Sequence, residues 1–149
     1  MKRVRLVDVY GTQGAEHVLY RLLQEREKRV NISHKKMPSL RQHLAFVRSR
    51  PYRAWYLIST GSGEYAGGIY LSRMSEIGVF VFKKFRQNGY GRKAVGLLMK
   101  KHTGVRKFLA NVNPTNERSI RFFRELGFKH IQNTYELNYH REEPKAAKQ

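Results

Sequence analysis

The sequence predicts one α+β (α/β mixed) domain, a single mixed sheet of six to seven strands flanked by about four helices. Three observations predict it. Strand-like and helix-like segments follow the order β-αα-βββ-α-β-α-ββ, without regular βαβ repetition. A three-strand meander fills the middle of the chain. A glycine-rich turn then joins the last meander strand to a helical pattern, so the sheet starts antiparallel and becomes partly parallel later.

Each element follows from local pattern. Arg3 to Val9 alternates polar and apolar residues and reads as the opening strand. Ala15 to Arg29 reads as a helix with Val18, Leu19, Leu22 and Leu23 on one face. Val30 to Pro38 is polar and basic and reads as a loop. Ser39 is placed to N-cap the next helix, whose face carries Leu40, Leu44 and Val47 and which Arg50-Pro51 ends. Ala54 to Thr60, Glu64 to Ser72 and Glu76 to Phe82 are the meander, with Gly61-Ser62-Gly63 as its first turn. Arg92 to Lys101 is helical, with Ala94, Val95 and Leu98 inward. Phe108 to Val112 is another strand. Asn113-Pro114 punctuates the chain before a helix that buries Ser119, Ile120, Phe123 and Leu126 and stops at Gly127. Phe128 to Ile131 and Thr134 to Tyr139 close the fold as strands. The domain spans residues 1–140, and 141–149 is a short flexible tail.

Composition bounds the function. A chain of 149 residues is long enough for one substantial core, and its hydrophobic content of 40% is ordinary. The net charge of +19 is not ordinary, and it attracts anions: cofactor phosphates, nucleotide sugars, nucleic acid or an anionic surface. There are no cysteines, which excludes disulfides and thiolate metal sites and fits a reducing cytoplasm. No His pair has metal-motif context, so no metal is expected. The basic start Met1-Lys2-Arg3-Val4 has no apolar region behind it, so no signal peptide is expected, and no stretch is apolar enough to span a membrane.

The chemistry concentrates in Arg86-Gln87-Asn88-Gly89-Tyr90-Gly91. A glycine turn between a strand and a helix N-terminus makes an anion cradle from outward N–H groups and the positive end of the helix dipole. Glycine, lacking Cβ, permits close approach. From Lys83 to Lys107 the chain carries nine Lys or Arg and no Asp or Glu. Gly89-Tyr90-Gly91-Arg92-Lys93-Ala94 also fits a dinucleotide fingerprint, but that motif needs an acid at the end of the next strand, where this chain has Asn111-Val112-Asn113. A Walker A loop is excluded because no Gly-Lys-Ser/Thr follows.

Arg-x-x-Gly-x-Gly at this junction resembles the pyrophosphate loop of the GNAT superfamily of N-acetyltransferases. About 25 residues on, Asn116-x-x-Ser119-x-x-x-Phe123-x-x-x-Gly127-Phe128 is similar to a second segment of that family, in the right order. The resemblance covers nearly the whole chain, from Arg3 to Tyr139. It implies the GNAT fold and acetyl-CoA as cosubstrate. It also implies that Arg86, Gln87, Asn88, Gly89, Tyr90, Gly91 and Arg92 hold the pyrophosphate. Asn116 and Phe123 would line the cofactor, and the backbone of Phe80 and Val81 would pair with the pantetheine arm. The strand from Phe108 would splay away to admit that arm, and Gly78 is read as a bulge that aids the splay.

The reaction implied is direct attack of an amine on the thioester in a ternary complex. The amine must lose a proton, the oxyanion needs a donor, and the leaving thiolate can take a proton. Glu76, at the start of the cofactor strand, is the first candidate base; Glu64, His34 and His43 are alternatives. The family often has Tyr where this chain has Phe123, which cannot donate a proton. Either the thiolate leaves unprotonated, or water serves, or Tyr135 or Tyr139 on the last strand reaches in.

The acceptor site is expected from the loop with Asn31, Ser33 and His34, joined by Lys35 and Lys36. Its polar, cationic character favours an anionic acceptor. Arg29-x-Asn31-x-Ser33, followed by a helix with His43 and Phe46, looks like the branch that acetylates amino-sugar nucleotides and ribosomal-protein N-termini. An amino-sugar nucleotide is therefore the expected acceptor. A GNAT-fold enzyme acting on nucleic acid or a protein bound to it, and a catalytically silent acetyl-CoA-binding module, stay open, as does a homodimer. A membrane partner is not expected.

Overall fold

The meander organises the molecule. In the computed structural model, which describes residues 3–26 and 36–140, β1 (Val4–Asp8), β2 (Ala54–Thr60), β3 (Tyr65–Leu71) and β4 (Ile77–Val81) form a four-stranded sheet in that order. Every neighbouring pair is antiparallel. Short turns fix the register. Thr60 N–H donates to Glu64 O at 2.8 Å and Ser72 N–H to Glu76 O at 2.8 Å, so each hairpin closes on a tight loop.

Helices cover both faces of this sheet. α1 (Ala15–Gln24) buries Val18, Leu19 and Leu22, and α2 (Leu40–Arg48) buries His43 and Val47. Both lie over the face that carries Trp55 and Leu57. The expected Ser39 cap is present: its Oγ accepts from Gln42 N–H at 3.1 Å while Gln42 Oε1 accepts from Ser39 N–H at 2.9 Å. On the opposite face α3 (Tyr90–Lys101) buries Ala94, Val95 and Leu98 against Ile58, Ile69, Leu71 and Ile77. Burial of such aliphatic side chains stabilises the fold by about 1.5–3 kcal/mol each.

The C-terminal third departs from the expected pattern. α4 (Glu117–Glu125) ends in a Schellman arrangement, with Phe128 N–H donating to Phe123 O and Gly127 N–H to Arg124 O, both at 3.0 Å. Gly127 takes φ +95° to allow it. Yet α4 buries no residue fully. Phe122 and Leu126 pack against the α3 core, and Ser119, Ile120 and Phe123 are only half-buried. The strand expected over residues 108–112 reduces to one parallel bridge, Glu76 to Leu109. The strands expected over 128–131 and 134–139 are not formed, and residues 129–140 are all exposed. An alternating pattern shows what a segment can pair as, but a strand forms only where an edge meets it.

α3 stops at His102, whose Nε2 hydrogen-bonds the Tyr56 hydroxyl at 2.9 Å. Burial, then Arg53 and Lys101, lower the imidazole pKa from its ordinary 6.5. The unfolded chain therefore takes this proton first as pH falls. The contribution is present above 6.5 and is lost as pH drops toward the lowered folded value. Thermal melts across this range should show Tm falling on the acid side, and His102→Gln should flatten part of that slope.

Candidate active site

The cleft begins where the sheet stops pairing. Ile77 N–H donates to Leu109 O at 2.7 Å and Leu109 N–H to Ser75 O at 2.9 Å. Beyond Ile77 no further bridge joins β4 to that segment among the described residues. Strand parity decides which groups face the gap. Phe82 N–H donates to Ala66 O at 2.8 Å and Ser72 N–H to Glu76 O, so even-numbered positions bond β3. Val79 and Val81 therefore turn their backbone groups to the cleft. This corrects one expectation: the Phe80 main chain faces β3, and Val79 stands beside Val81 as the contact available to an extended ligand.

The glycine turn lies at the far end of that edge. Gln87 and Gly89 take left-handed φ values of +63° and +79°, and Gly89 occupies the N-cap of α3 without any side-chain cap bond. Alternating handedness of this kind makes a backbone concavity for anions. Asn88 Nδ2 donates to Arg86 O at 2.9 Å and to Phe85 O at 3.3 Å, which holds the turn. Arg86 Nε donates to Val81 O at 3.3 Å. Gly91 sits under α4, where a Cβ would lie 3.4 Å from Phe122 Cε2 and 3.6 Å from Val81 Cγ2. Tyr90 is buried against Phe85, rings 5.6 Å apart, so it offers a ligand only its main chain. Arg92 Nη2 reaches Glu125 O at 3.5 Å and ties α3 to the end of α4.

Glu76 stands at the fork of the cleft. Ser72 Oγ donates to its Oε1 at 3.0 Å, and Asn111 Nδ2 donates to its Oε2. Ser72 Oγ also accepts from Glu76 N–H at 3.0 Å. The carboxylate is thus fixed from the β3–β4 turn on one side and from the 108–112 segment on the other. Of the alternatives, His43 is buried, 5% exposed, with Nε2 3.0 Å from Glu16 O. It joins α2 to α1 and is spoken for. Glu64 lies in the β2–β3 turn and pairs with Lys84 at 3.8 Å.

The sequence reading missed the residue over the middle of β4. Gly78 pairs with Tyr70 in an unshifted register, so it is a notch and not the bulge expected; the sheet's irregularity falls at Ile58/Ser59 instead. A Cβ on Gly78 would stand 2.5 Å from the Tyr70 hydroxyl oxygen, so only glycine leaves room for that phenol between Glu76 and Phe80. Tyr52 stacks on Tyr70 at 3.8 Å, 2° from parallel. The Arg26 guanidinium lies 4.0 Å over the Phe80 ring. Burial pushes both tyrosines up, and burial lowers Arg26. The short turn at residues 72–76 was the available signal, since its length alone places Tyr70 opposite Gly78.

The remaining expected residues divide. Asn116 Oδ1 accepts from Ser119 N–H at 3.2 Å, so it caps α4. Phe123 packs edge-on between Phe122 and Phe128, at 5.0 and 5.2 Å. Tyr135 and Tyr139 stand exposed on the unpaired segment and are not brought to Glu76. Asn31, Ser33, His34 and Lys35 lie outside the described residues. Among the described residues no His, Cys, Asp or Glu cluster could hold a metal, and no helix is long and apolar enough to cross a membrane.

A model described as the acetyltransferase (GNAT) family matches residues 17–128. No protein of curated function matches the chain by sequence. Among solved structures, a domain from Methanocaldococcus jannaschii aligns with TM-score 0.76 at 22% identity, covering 91% of this chain and 93% of that one. The Salmonella typhimurium protein yncA, solved with its cofactor acetyl-CoA, aligns with TM-score 0.61 at 17% identity over 86% and 79%. The aminoglycoside N-acetyltransferase AAC(6')-Iy, in complex with CoA, aligns with TM-score 0.68 at 15% identity over 93% and 95%.

Proposed function

The chain belongs to the acetyltransferase (GNAT) family, with acetyl-CoA as cosubstrate, and from that premise we propose that it acetylates the primary amine of a small anionic acceptor. The observation that carries this reading is the fork at Glu76. One open β edge, one fixed carboxylate and one phenol meet there, in line with an anion-binding turn.

When bound, acetyl-CoA supplies an activated thioester, and the rest falls to the chain. The turn from Arg86 to Arg92 receives the pyrophosphate through main-chain N–H groups and the α3 dipole. Val79 and Val81 offer N–H and C=O groups to the extended arm. Glu76, held by Ser72 and Asn111, accepts the proton of the incoming amine, directly or through water. Tyr70, opposite Gly78 and two residue pairs along from Glu76, is the phenol assigned to return a proton to the departing sulfur, the task that Phe123 cannot perform. Tyr52 stacks on Tyr70 and orients its ring. Tyr70→Phe should lower kcat about tenfold or more with little change in acetyl-CoA affinity, and should remove a basic limb from the kcat–pH profile. An unchanged profile would leave Tyr70 a packing residue.

Arg26 and Lys36 flank in sequence the segment that carries Asn31, Ser33 and His34, and the cationic character of that stretch supports an anionic acceptor such as an amino-sugar nucleotide. The test is a panel of amines scored by CoA release: nucleotide-linked amino sugars, aminoglycosides and peptide N-termini. Preference for the first supports the reading. Turnover confined to the other two overturns it. The charge of +19 favours one second reading, an enzyme acting on nucleic acid or on a protein bound to it. That reading requires binding of a short duplex that weakens steeply with salt.

A further inference from the structure

One face of β4 carries a row of polar heads. The other face is closed, because Ile77, Val79 and Val81 turn their side chains into the α3 core. Side chains alternate along a strand, so Glu76, Gly78 and Phe80 share the remaining face. Gly78 leaves its place to the Tyr70 phenol, and the Arg26 guanidinium lies 4.0 Å over the Phe80 ring. The row therefore reads carboxylate, phenol, guanidinium, and roughly 13 Å of strand separates its first anchor from its last. Tyr70 feels the charge at both ends, Arg26 and Glu76. Arg26, Tyr52, Tyr70, Glu76 and Phe80 are all half-buried, so the row lines a surface that a small molecule can reach. Arg26 is its unexplained member. The groups that favour its charge are the Tyr70 and Tyr52 phenols. No carboxylate among the described residues pairs with it, and its neighbour Glu25 accepts instead from Lys83 N–H at 3.0 Å. A guanidinium drawn partly out of water without an anion costs free energy that a ring face offsets only in part. Its planar fork of N–H donors matches a carboxylate or a phosphate.

We propose that Arg26 determines acceptor specificity: it receives a carboxylate or phosphate at one end of the acceptor while the amine at the other end meets Glu76. This rests on the reading of the chain as an acetyltransferase of anionic amines, and narrows it. The acceptor carries its amine and its anion apart, joined by a body that packs against the Tyr52–Tyr70 stack. An α-amino acid, with both groups on one carbon, is too short to occupy the two ends of the row. Arg26 does not touch the acetyl-CoA turn at residues 86–92, so its contribution falls on the acceptor and not on the cosubstrate.

A matched set of amines tests this: hexylamine, 6-aminohexanoate, 6-aminohexyl phosphate and glycine. Each is titrated by calorimetry into the full chain saturated with CoA, and each is assayed for CoA release from acetyl-CoA. The parent protein should favour the two long anions over hexylamine by about tenfold or more, in affinity and in KM, and should favour 6-aminohexanoate over glycine. The better of the two anions identifies the group that Arg26 receives. Arg26→Met keeps an unbranched stem over Phe80 and removes the charge. It should erase the preference for the anions while acetyl-CoA affinity stays within about twofold. Arg26→Lys, which keeps the charge without the fork, should retain part of the preference. A packing role alone would shift hexylamine and the anions alike. A preference for the anions that persists in folded Arg26→Met overturns this proposal and leaves the anionic reading standing. Long anions that do no better than hexylamine in the parent overturn both. Glycine equal to or better than 6-aminohexanoate overturns the separation of amine and anion.

Discussion

Gly89→Val is expected to weaken acetyl-CoA binding by more than about a hundredfold while leaving a folded protein. Gly89 has φ +79°, a region that a β-branched residue enters only with strain of about 1–3 kcal/mol. Nothing stands within 4 Å of the Cβ it would acquire, so the added branch points into the open space above the α3 N-terminus. That is the space the pyrophosphate needs. Losing two backbone-to-phosphate hydrogen bonds, at about 1.5–3 kcal/mol each, accounts for a hundredfold or more. Gly63→Val is the matched control. It has φ +83° and open space as well, but it lies in the β2–β3 turn. It should share the loss of stability and keep the affinity. Gly91→Val should also lose binding, because its branch meets Phe122 and pushes α4 off the turn. Calorimetric titration of acetyl-CoA into the three variants decides the matter: normal affinity in folded Gly89→Val and Gly91→Val would sink the assignment of this turn.

The parts of this site that were legible in the sequence share a cause. Gly89, the Ser39 cap, Gly127 and the meander turns are all determined by neighbours within a few residues, where backbone sterics and capping act. The helix faces of α1 and α3 were legible for a similar reason, since the 3.6-residue period shows directly in Val18, Leu19, Leu22 and in Ala94, Val95, Leu98. What was hidden depends on partners distant in sequence. The shift from Phe80 to Val79 needed the parity of hydrogen bonding with β3, which a one-residue change of register would reverse. The role of Gly78 needed Tyr70 beside it. Alternation in Thr134 to Tyr139 predicts a strand, but none forms there, because alternation shows what a segment can pair as and not whether an edge meets it.

Glu76→Gln should lower kcat by about a hundredfold to ten-thousandfold while acetyl-CoA affinity stays within about twofold, the range expected for removal of a positioned general base. The substitution is close to neutral for the fold. Glutamine still accepts from Ser72 Oγ, and a flip of the Asn111 amide lets Asn111 accept from the new Nε2–H₂, so both strands stay tied across the fork. Only the capacity to take a proton is lost. The pH profile separates this from a structural effect. In Glu76→Gln the surviving rate should follow the amine alone and recover as pH approaches the amine's own pKa, whereas the parent enzyme should turn over well below that pH. Asn111→Ala makes the complementary case. It leaves the carboxylate in place but frees Oε2 and loosens the bridge to Leu109, so it should raise KM and lower kcat together and spare the pH dependence. If Glu76→Gln binds acetyl-CoA normally and turns over at the parent rate, Glu76 is a clamp for the splayed strand, and the amine reaches the cleft already unprotonated or gives its proton to water.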